Sequence, residues 1–164
     1  MKLYKKYFKG KRIIVTGHTG FKGSWLTLWL KILGAEVLGI SSDIPTKPSH
    51  FELTKLSNSI ISKKINVEDL STLKSTIKKF KPDFIFHLAA QAIVKKSYND
   101  PVNTWKTNLM GSMNLLEAIR CLKLKKKIIV VMITSDKAYK NFEIKKGYKE
   151  DSVLGGIDLY GESK

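Results

Sequence analysis

The stretch from Arg12 to Gly23, RIIVTGHTGFKG, limits what this chain can fold into more than any other. It opens with Ile13, Ile14 and Val15, a short unbroken apolar run of the kind buried on both faces of a parallel sheet. Gly17, Gly20 and Gly23 follow at the spacing GxxGxxG. A helical pattern then begins at once, with Trp25, Leu26, Leu28, Trp29, Ile32 and Leu33 apolar and Gly34 placed to end it. The stretch reads as strand, glycine turn, helix. Such a turn lets a pyrophosphate approach the backbone and the first N–H groups of the helix, where the dipole favours negative charge and a Cβ would obstruct. The plainer alternative is a tight turn whose glycines serve only helix-to-strand packing. The flanking strand and helix favour the phosphate site, with Gly17, Thr19, Gly20, Phe21 and Gly23 as its candidate contacts.

A P-loop needs GxxxxGK[ST], and Lys22 stands where its second glycine belongs, so a nucleoside-triphosphatase reading fails on spacing. The two-residue gap between Gly17 and Gly20 also departs from the GxGxxG of ordinary dinucleotide dehydrogenases. It resembles the spacing of the short-chain dehydrogenase/reductase superfamily.

A chain of 164 residues can bury one good core, which predicts one domain. Its formal charge of +16 would ordinarily suggest nucleic acid or an anionic surface. All but Arg12 and Arg120 of the 30 basic residues are lysine, however, whereas nucleic-acid readers lean on arginine for bidentate and stacking contacts. The lysines are spread along the whole chain, which speaks against a nucleic-acid face. Cys121 is the single cysteine, so no internal disulfide is possible and a reducing cytoplasm is the expected home. It sits on the apolar side of a predicted helix, as a small core residue. The N-terminal MKLYKKYFKGKR is basic without an apolar h-region, and no run approaches the length of a membrane span. No metal-ligand pattern is present.

Downstream, Glu36 to Ser41 reads as a second strand that ends near Asp43. Asp43 lies about twenty residues beyond Gly23, where a dinucleotide fold places the carboxylate that accepts from the adenosine ribose hydroxyls. An acid there repels a 2′-phosphate and so favours NAD over NADP. An exposed loop aspartate is the alternative. Pro45 and Pro48 then predict an extended loop. A third strand is expected near Ile60 and Ile61, and a helix from about Asp69 to Phe80. Lys81-Pro82-Asp83 breaks it and launches Phe84 to Leu88, a buried strand ending in Ala89-Ala90-Gln91, whose small residues would let a flat cofactor lie close to the sheet. His87 in that run reads as a hydrogen-bonded core histidine. Asp100-Pro101 is a helix start, with the helix running to about Leu122 and Asn108 inside it, facing either the active-site layer or solvent. After Lys125 to Lys127, Ile128 to Ile133 predicts another buried strand, ending in Thr134-Ser135-Asp136-Lys137. The irregular stretch from Lys140 to Leu159 leads to Tyr160-Gly161-Glu162-Ser163-Lys164. Strands and helices alternating without repeats predict a doubly wound parallel sheet of the Rossmann type.

Tyr160 and Lys164 stand at i and i+4, on one helical face. An ammonium beside the phenol, with the positive nicotinamide of NAD⁺, favours the phenolate and makes tyrosine a usable base. Ser135 would hold the substrate hydroxyl for it. YxxxK alone is a frequent accident; joined to TGHTGFKG and TSDK in this order it is specific.

These motifs, with PTKPSHFE, KPDFIFHLAAQ, SYNDP, TNLMGSMNLLEAI, ITSDKAY and GYKED, span nearly the whole chain and resemble the N-terminal half of the CDP-glucose 4,6-dehydratases. These are extended short-chain dehydrogenases/reductases that retain NAD⁺. The SDK of Ser135 to Lys137 is the most specific, since related dTDP-glucose dehydratases carry TDE there. Departures are Leu159 for proline and Gly161 for serine in GGIDLYGESK, and Asn66 where an adenine-contacting aspartate is usual. The resemblance implies a redox-neutral dehydration of CDP-glucose in the complete protein: Tyr160 takes the 4-hydroxyl proton, Asp136 is general acid for the water leaving C6, Lys137 assists, and Lys164 also binds the nicotinamide ribose. It implies a homo-oligomer, with nucleotide sugar rather than nucleic acid or membrane as partner. Residues 1–164 would form a truncated NAD-binding domain, inactive alone and prone to aggregate through its uncovered sheet edge, either a fragment or the product of a prematurely ended reading frame. A nucleotide-sugar epimerase or reductase on the same scaffold, and a non-catalytic NAD-binding protein, remain the alternatives.

Overall fold

The computed structural model describes residues 2–123 and 126–164. Within them five parallel strands form one sheet: β1 (Arg12–Thr16), β2 (Glu36–Ser41), β3 (Ile61–Lys64), β4 (Phe84–His87) and β5 (Ile129–Met132), in the order β3-β2-β1-β4-β5. The chain winds outward one way from β1 and then the other way from β4. The reversal leaves a crevice at the carboxyl ends of β1 and β4, where Thr16 pairs in register with Ile40 on one side and His87 on the other.

Helices cover both faces, as expected of a doubly wound sheet. They are α1 (Lys2–Phe8), α2 (Phe21–Ile32), α3 (His50–Leu53), α4 (Leu70–Phe80), α5 (Val94–Asn99), α6 (Pro101–Trp105), α7 (Gly111–Cys121) and α8 (Leu159–Glu162). Because side chains alternate along a strand, Ile14, Leu38, Ile40 and Ile85 face α4 and α7, where Leu73, Ile77, Phe80, Leu115 and Ala118 complete the larger core. Ile13, Val15 and Val37 face the other way, under Leu30 of α2 and Phe8 of α1. Asp69 caps α4 by accepting from Thr72 N at 2.9 Å, and Gly34, at φ +86°, ends α2 in the left-handed region that favours glycine.

The basic N-terminus, for which the sequence suggested no element, forms α1, whose Phe8 packs edge-on against Phe84 at 5.4 Å between ring centroids. Three expectations need correction. Helix α2 buries Gly23, Ser24, Thr27 and Leu30 and leaves Trp25, Trp29 and Ile32 exposed, because it lies too close to the sheet for indole rings to fit between. The run Ile128 to Ile133 is not a buried strand: among the described residues β5 has β4 alone as neighbour, and Ile129, Val131 and Ile133 are exposed. Lys125, ahead of it, lies outside the described residues. Cys121 is not in the core; it is half-buried at the end of α7, where its thiol donates to Glu117 Oε1 at 3.0 Å. That carboxylate raises the thiol pKa, the reverse of what a nucleophile needs. No helix among the described residues is long and apolar enough to cross a membrane.

Candidate active site

The glycine turn is built by contacts that exclude side chains. A Cβ on Gly17, at φ +72°, would lie 2.8 Å from Ala89 N, so the turn is pressed against the end of β4. On Gly23 it would lie 2.0 Å from Gly17 O, which sets how closely α2 approaches the turn. Gly17 N donates to Ile40 O at 2.7 Å and Gly20 N to Gly17 O at 3.1 Å. Gly20 is the N-cap of α2 and supplies no side-chain cap, so the helix presents its first N–H groups without a protein carboxylate or hydroxyl over them. Phe21 is exposed at this rim. A cradle that a Cβ would fill, at the N-terminus of a 12-residue helix, fits a pyrophosphate.

Asp43 follows the end of β2 with its carboxylate at the surface, where it accepts from Ser42 Oγ at 2.8 Å. Thr19 Oγ1 donates to the Asp43 carbonyl at 2.5 Å and ties the loop to the turn. Ala89 and Ala90 line the other side of the crevice, with Ala89 N donating to Thr16 Oγ1 at 3.1 Å. Asn66 is exposed, and its Oδ1 accepts from Glu68 N at 3.0 Å in a local turn.

Beyond β5 the chain makes a 3-10 turn, Asp136–Ala138, capped by Ser135, whose Oγ accepts from Lys137 N at 3.2 Å and donates to Asp136 Oδ1 at 3.1 Å. Helix α8 packs against this turn. Its N-cap, Asp158, accepts from Gly161 N at 2.7 Å and faces Lys137 Nζ at 3.9 Å. Gly161 lies flush against the turn: a Cβ there would stand 2.7 Å from Lys137 O, which accounts for glycine at this position. Ser135 and Lys164 line one cleft of about 330 Å³ with Gly155 and Gly156. Lys164 Nζ lies 5.6 Å from the centroid of the Tyr160 ring, and its burial lowers the ammonium pKa. Asp136, Lys137 and Tyr160 do not line this cleft, and Lys137 Nζ is turned toward Asp158. Among the described residues no cluster of His, Cys, Asp and Glu could hold a metal ion.

Sequence reasoning named Asn108 and His87 but not the partners through which these buried residues join the two halves. Between α6 and α7 the helix widens to a π turn, Lys106–Met110, and Asn108 sits in it, buried. Its Oδ1 accepts from Gln91 N at 2.8 Å, and its Nδ2 donates to Gln91 O at 3.2 Å and to Ser163 Oγ at 2.8 Å. Of the two orientations left open by the sequence, Asn108 therefore faces the site. His87 is the buried, hydrogen-bonded histidine its apolar run suggested. Thr16 Oγ1 accepts from two backbone N–H groups, Leu88 and Ala89, so its own proton goes to His87 Nδ1 at 2.8 Å. His87 Nε2–H then donates to Ser112 Oγ at 3.2 Å, and Ser112 to Asn108 O at 2.6 Å. Burial first, and the Lys164 charge second, bring the His87 pKa down to about 4. The one sequence signal for these ties is polar residues set in otherwise apolar runs.

Comparison with known proteins agrees with this geometry. The chain is 47% identical to the CDP-glucose 4,6-dehydratase of Salmonella typhimurium over 160 residues, 98% of this chain and 44% of that protein. Among solved structures, the UDP-glucose 4-epimerase of Thermotoga maritima with UDP-glucose superposes at a TM-score of 0.79 and 28% identity, over 93% of this chain and 47% of that one. The UDP-glucose 4-epimerase of Thermus thermophilus in complex with NAD does so at 0.77 and 28%, over the same shares. The chain thus spans about half the length of the relatives it matches. The profile of the GDP-mannose 4,6 dehydratases matches residues 14–164, and the chain belongs to that family.

Proposed function

We propose that residues 1–164 are the NAD-binding domain of a nucleotide-sugar 4,6-dehydratase whose substrate is CDP-glucose. The observation that carries the reading is the meeting of the TSDK turn with α8 at the carboxyl end of β5, where Ser135 and Lys164 share a cleft. Helix α8 holds Tyr160 but ends at Glu162, so Lys164 follows the helix instead of lying on one helical face with Tyr160 as its spacing suggested. The 47% identity to the Salmonella enzyme supports CDP-glucose as the sugar nucleotide.

The glycine cradle and the N-terminus of α2 would hold the pyrophosphate of NAD, Asp43 the adenosine ribose, and Lys164 the nicotinamide ribose, with Ala89 and Ala90 leaving room beside the sheet. When bound, NAD supplies a hydride acceptor at the sugar C4 and returns the hydride at C6. Tyr160 removes the proton of the 4-hydroxyl as C4 is oxidised, with Lys164 Nζ over its ring, 5.6 Å from the centroid. Ser135 holds that hydroxyl. The resulting 4-ketone acidifies C5–H, and Asp136 protonates the leaving C6 hydroxyl as water departs, with Lys137 assisting the C5 to C6 elimination. The reaction is redox-neutral. Elimination is what distinguishes it from 4-epimerisation on the same scaffold, and Asp136 and Lys137 are the groups assigned to it. The reading places the protein in the cytoplasm as a homo-oligomer, with a nucleotide sugar as its partner.

Single-turnover absorbance with product analysis in the whole protein tests the assignment. Asp136→Asn should still form enzyme-bound NADH from CDP-glucose yet release 4-keto-6-deoxy product about 10²- to 10⁴-fold more slowly, the usual size of an acid–base contribution. Tyr160→Phe should form neither. Equal loss of NADH formation in both variants would remove Asp136 from the elimination step.

A further inference from the structure

His18, in the glycine turn, is buried to 1% exposure and has no part in the chemistry above. Its ring lies flat on β2, where a Cβ at Gly39 would fall 2.3 Å from the imidazole Cγ. Phe51 closes over it edge-on at 5.1 Å. Both ring nitrogens are engaged: Nδ1 with Ser41 Oγ at 2.9 Å, at the end of β2, and Nε2 with Ser62 Oγ at 2.8 Å, in β3. Ser41 Oγ also accepts from Thr19 N at 3.3 Å, and Thr19 Oγ1 reaches the Asp43 carbonyl. One side chain of the turn therefore grips the two strands that carry the Asp43 loop. A leucine would fill the same space and make none of these bonds. Burial lowers the pKa of this imidazole.

We propose that His18 is a positioning residue for the adenosine half of the cofactor: it fixes the separation between the pyrophosphate turn and the Asp43 carboxylate, and thereby sets affinity for an ADP-ribose moiety. The inference rests on the NAD reading. The two ligand groups it relates lie on different elements, the start of α2 and the end of β2, and the direct turn-to-loop bonds beside it are Gly17 N to Ile40 O and Thr19 Oγ1 to Asp43 O. Without the ring the Ser41 hydroxyl would turn away, and Thr19 N would lose its partner.

Equilibrium titration of the full chain with ADP-ribose, with circular dichroism to monitor folding, provides the test. The unchanged chain should bind. His18→Leu and Ser41→Ala should each bind about ten-fold more weakly, the worth of one or two buried hydrogen bonds. His18→Asn places an amide atom where Nδ1 was and should stay within about three-fold of the unchanged chain, as should Ser62→Ala, which severs only the bond to β3. Failure of the unchanged chain to bind ADP-ribose would remove the cofactor reading and this inference with it. Undiminished binding by His18→Leu, or equal weakening in His18→Leu and His18→Asn, would overturn the positioning role and leave the cofactor reading standing. If His18→Leu does not fold, Ser41→Ala decides: affinity equal to that of the unchanged chain would overturn the role.

Discussion

The glycine turn and the segment beyond β5 are both placed at the crevice, and they are built in opposite ways. Around the turn, Ile13, Ile14, Val15 and Thr16 are wholly buried, and each glycine is fixed by a backbone neighbour. Beyond β5, Leu154 is 69% and Ile157 83% exposed, and besides two backbone bonds, Lys140 N to Val153 O and Gly155 N to Ala138 O, the segment is held by side-chain ties: Asp158 to Gly161 N and Lys137, and Asn108 to Ser163. The difference follows from what the proposed function asks of each. A pyrophosphate is recognised by backbone N–H groups, which have to be rigid before it arrives. Proton transfer needs side chains at an open cleft, and those can stand on short turns if a buried network orients them. Function in the first region resides in the fold itself; in the second it resides in hydrogen bonds added to it.

Substituting glycines in the two regions tests this contrast most severely. Gly23→Ala would drive a Cβ against Gly17 O, a backbone atom in the centre of the turn, and should cost about 3 kcal/mol or more, or prevent folding. Gly161→Ala meets Lys137 O at 2.7 Å on a surface turn that can shift, and should cost less. Gly147→Ala, with no atom within 4 Å of the added Cβ, should be neutral or stabilise by roughly 0.5 kcal/mol through the unfolded chain. Denaturant midpoints that fail to follow the order Gly23, Gly161, Gly147 would remove the distinction between a rigid and a yielding region.

The network that joins the regions predicts a pH effect. His87 has a pKa of about 4 when folded against an ordinary 6.5, so the unfolded chain takes up a proton that the folded chain refuses. Its contribution is fully present above pH 6.5 and is lost as pH falls toward 4, to a total of about 3 kcal/mol. Burial lowers the His18 pKa in the same sense and adds to the slope. His87→Gln keeps a polar side chain without a titrating group, so its stability should vary less with pH between 6.5 and 4 than that of the unchanged chain. Parallel stability profiles for the two would mean that His87 is not held neutral by the fold.

Most of the first region was legible in the sequence because its constraints are local. An apolar run, three spaced glycines and a helical period name a strand, a turn and a helix, and the spacing to Asp43 follows from the length of one βαβ unit. What misled was the face of α2: the pattern marks Trp25, Trp29 and Ile32 as apolar, but contact with the sheet selects small residues, which periodicity does not weigh. In the second region the residue types of Ser135, Asp136, Lys137, Tyr160 and Lys164 were legible, and their support was not. Asn108 to Ser163 and Lys137 to Asp158 are separated along the chain and depend on which helices meet. The strand pattern at Ile129 to Met132 was right, whereas its burial depends on neighbours that a pattern does not reveal.

Asp158 sharpens the comparison at its smallest scale, because one carboxylate performs two tasks in the yielding region. It caps α8 through Gly161 N at 2.7 Å, and it faces Lys137 Nζ at 3.9 Å from a side chain only 8% exposed. Removing both with Asp158→Ala should cost about 1 kcal/mol, the usual worth of an N-cap. Asp158→Asn keeps an oxygen for the cap and discards the charge, and since Lys137 is 47% exposed and the separation long, the ion pair should add only a few tenths of a kcal/mol. Neither substitution touches the glycine turn, so ADP-ribose affinity should stay unchanged in both while the denaturant midpoint falls in the order Ala, then Asn. If Asp158→Asn were as costly as Asp158→Ala, the ion pair rather than the cap would hold the Asp136–Ala138 turn against α8, and the orientation of Lys137 would then depend on the charge of its partner. A fall in ADP-ribose affinity would show instead that strain in the second region reaches the first, through Ser163, Asn108 and His87, and that the two are one unit.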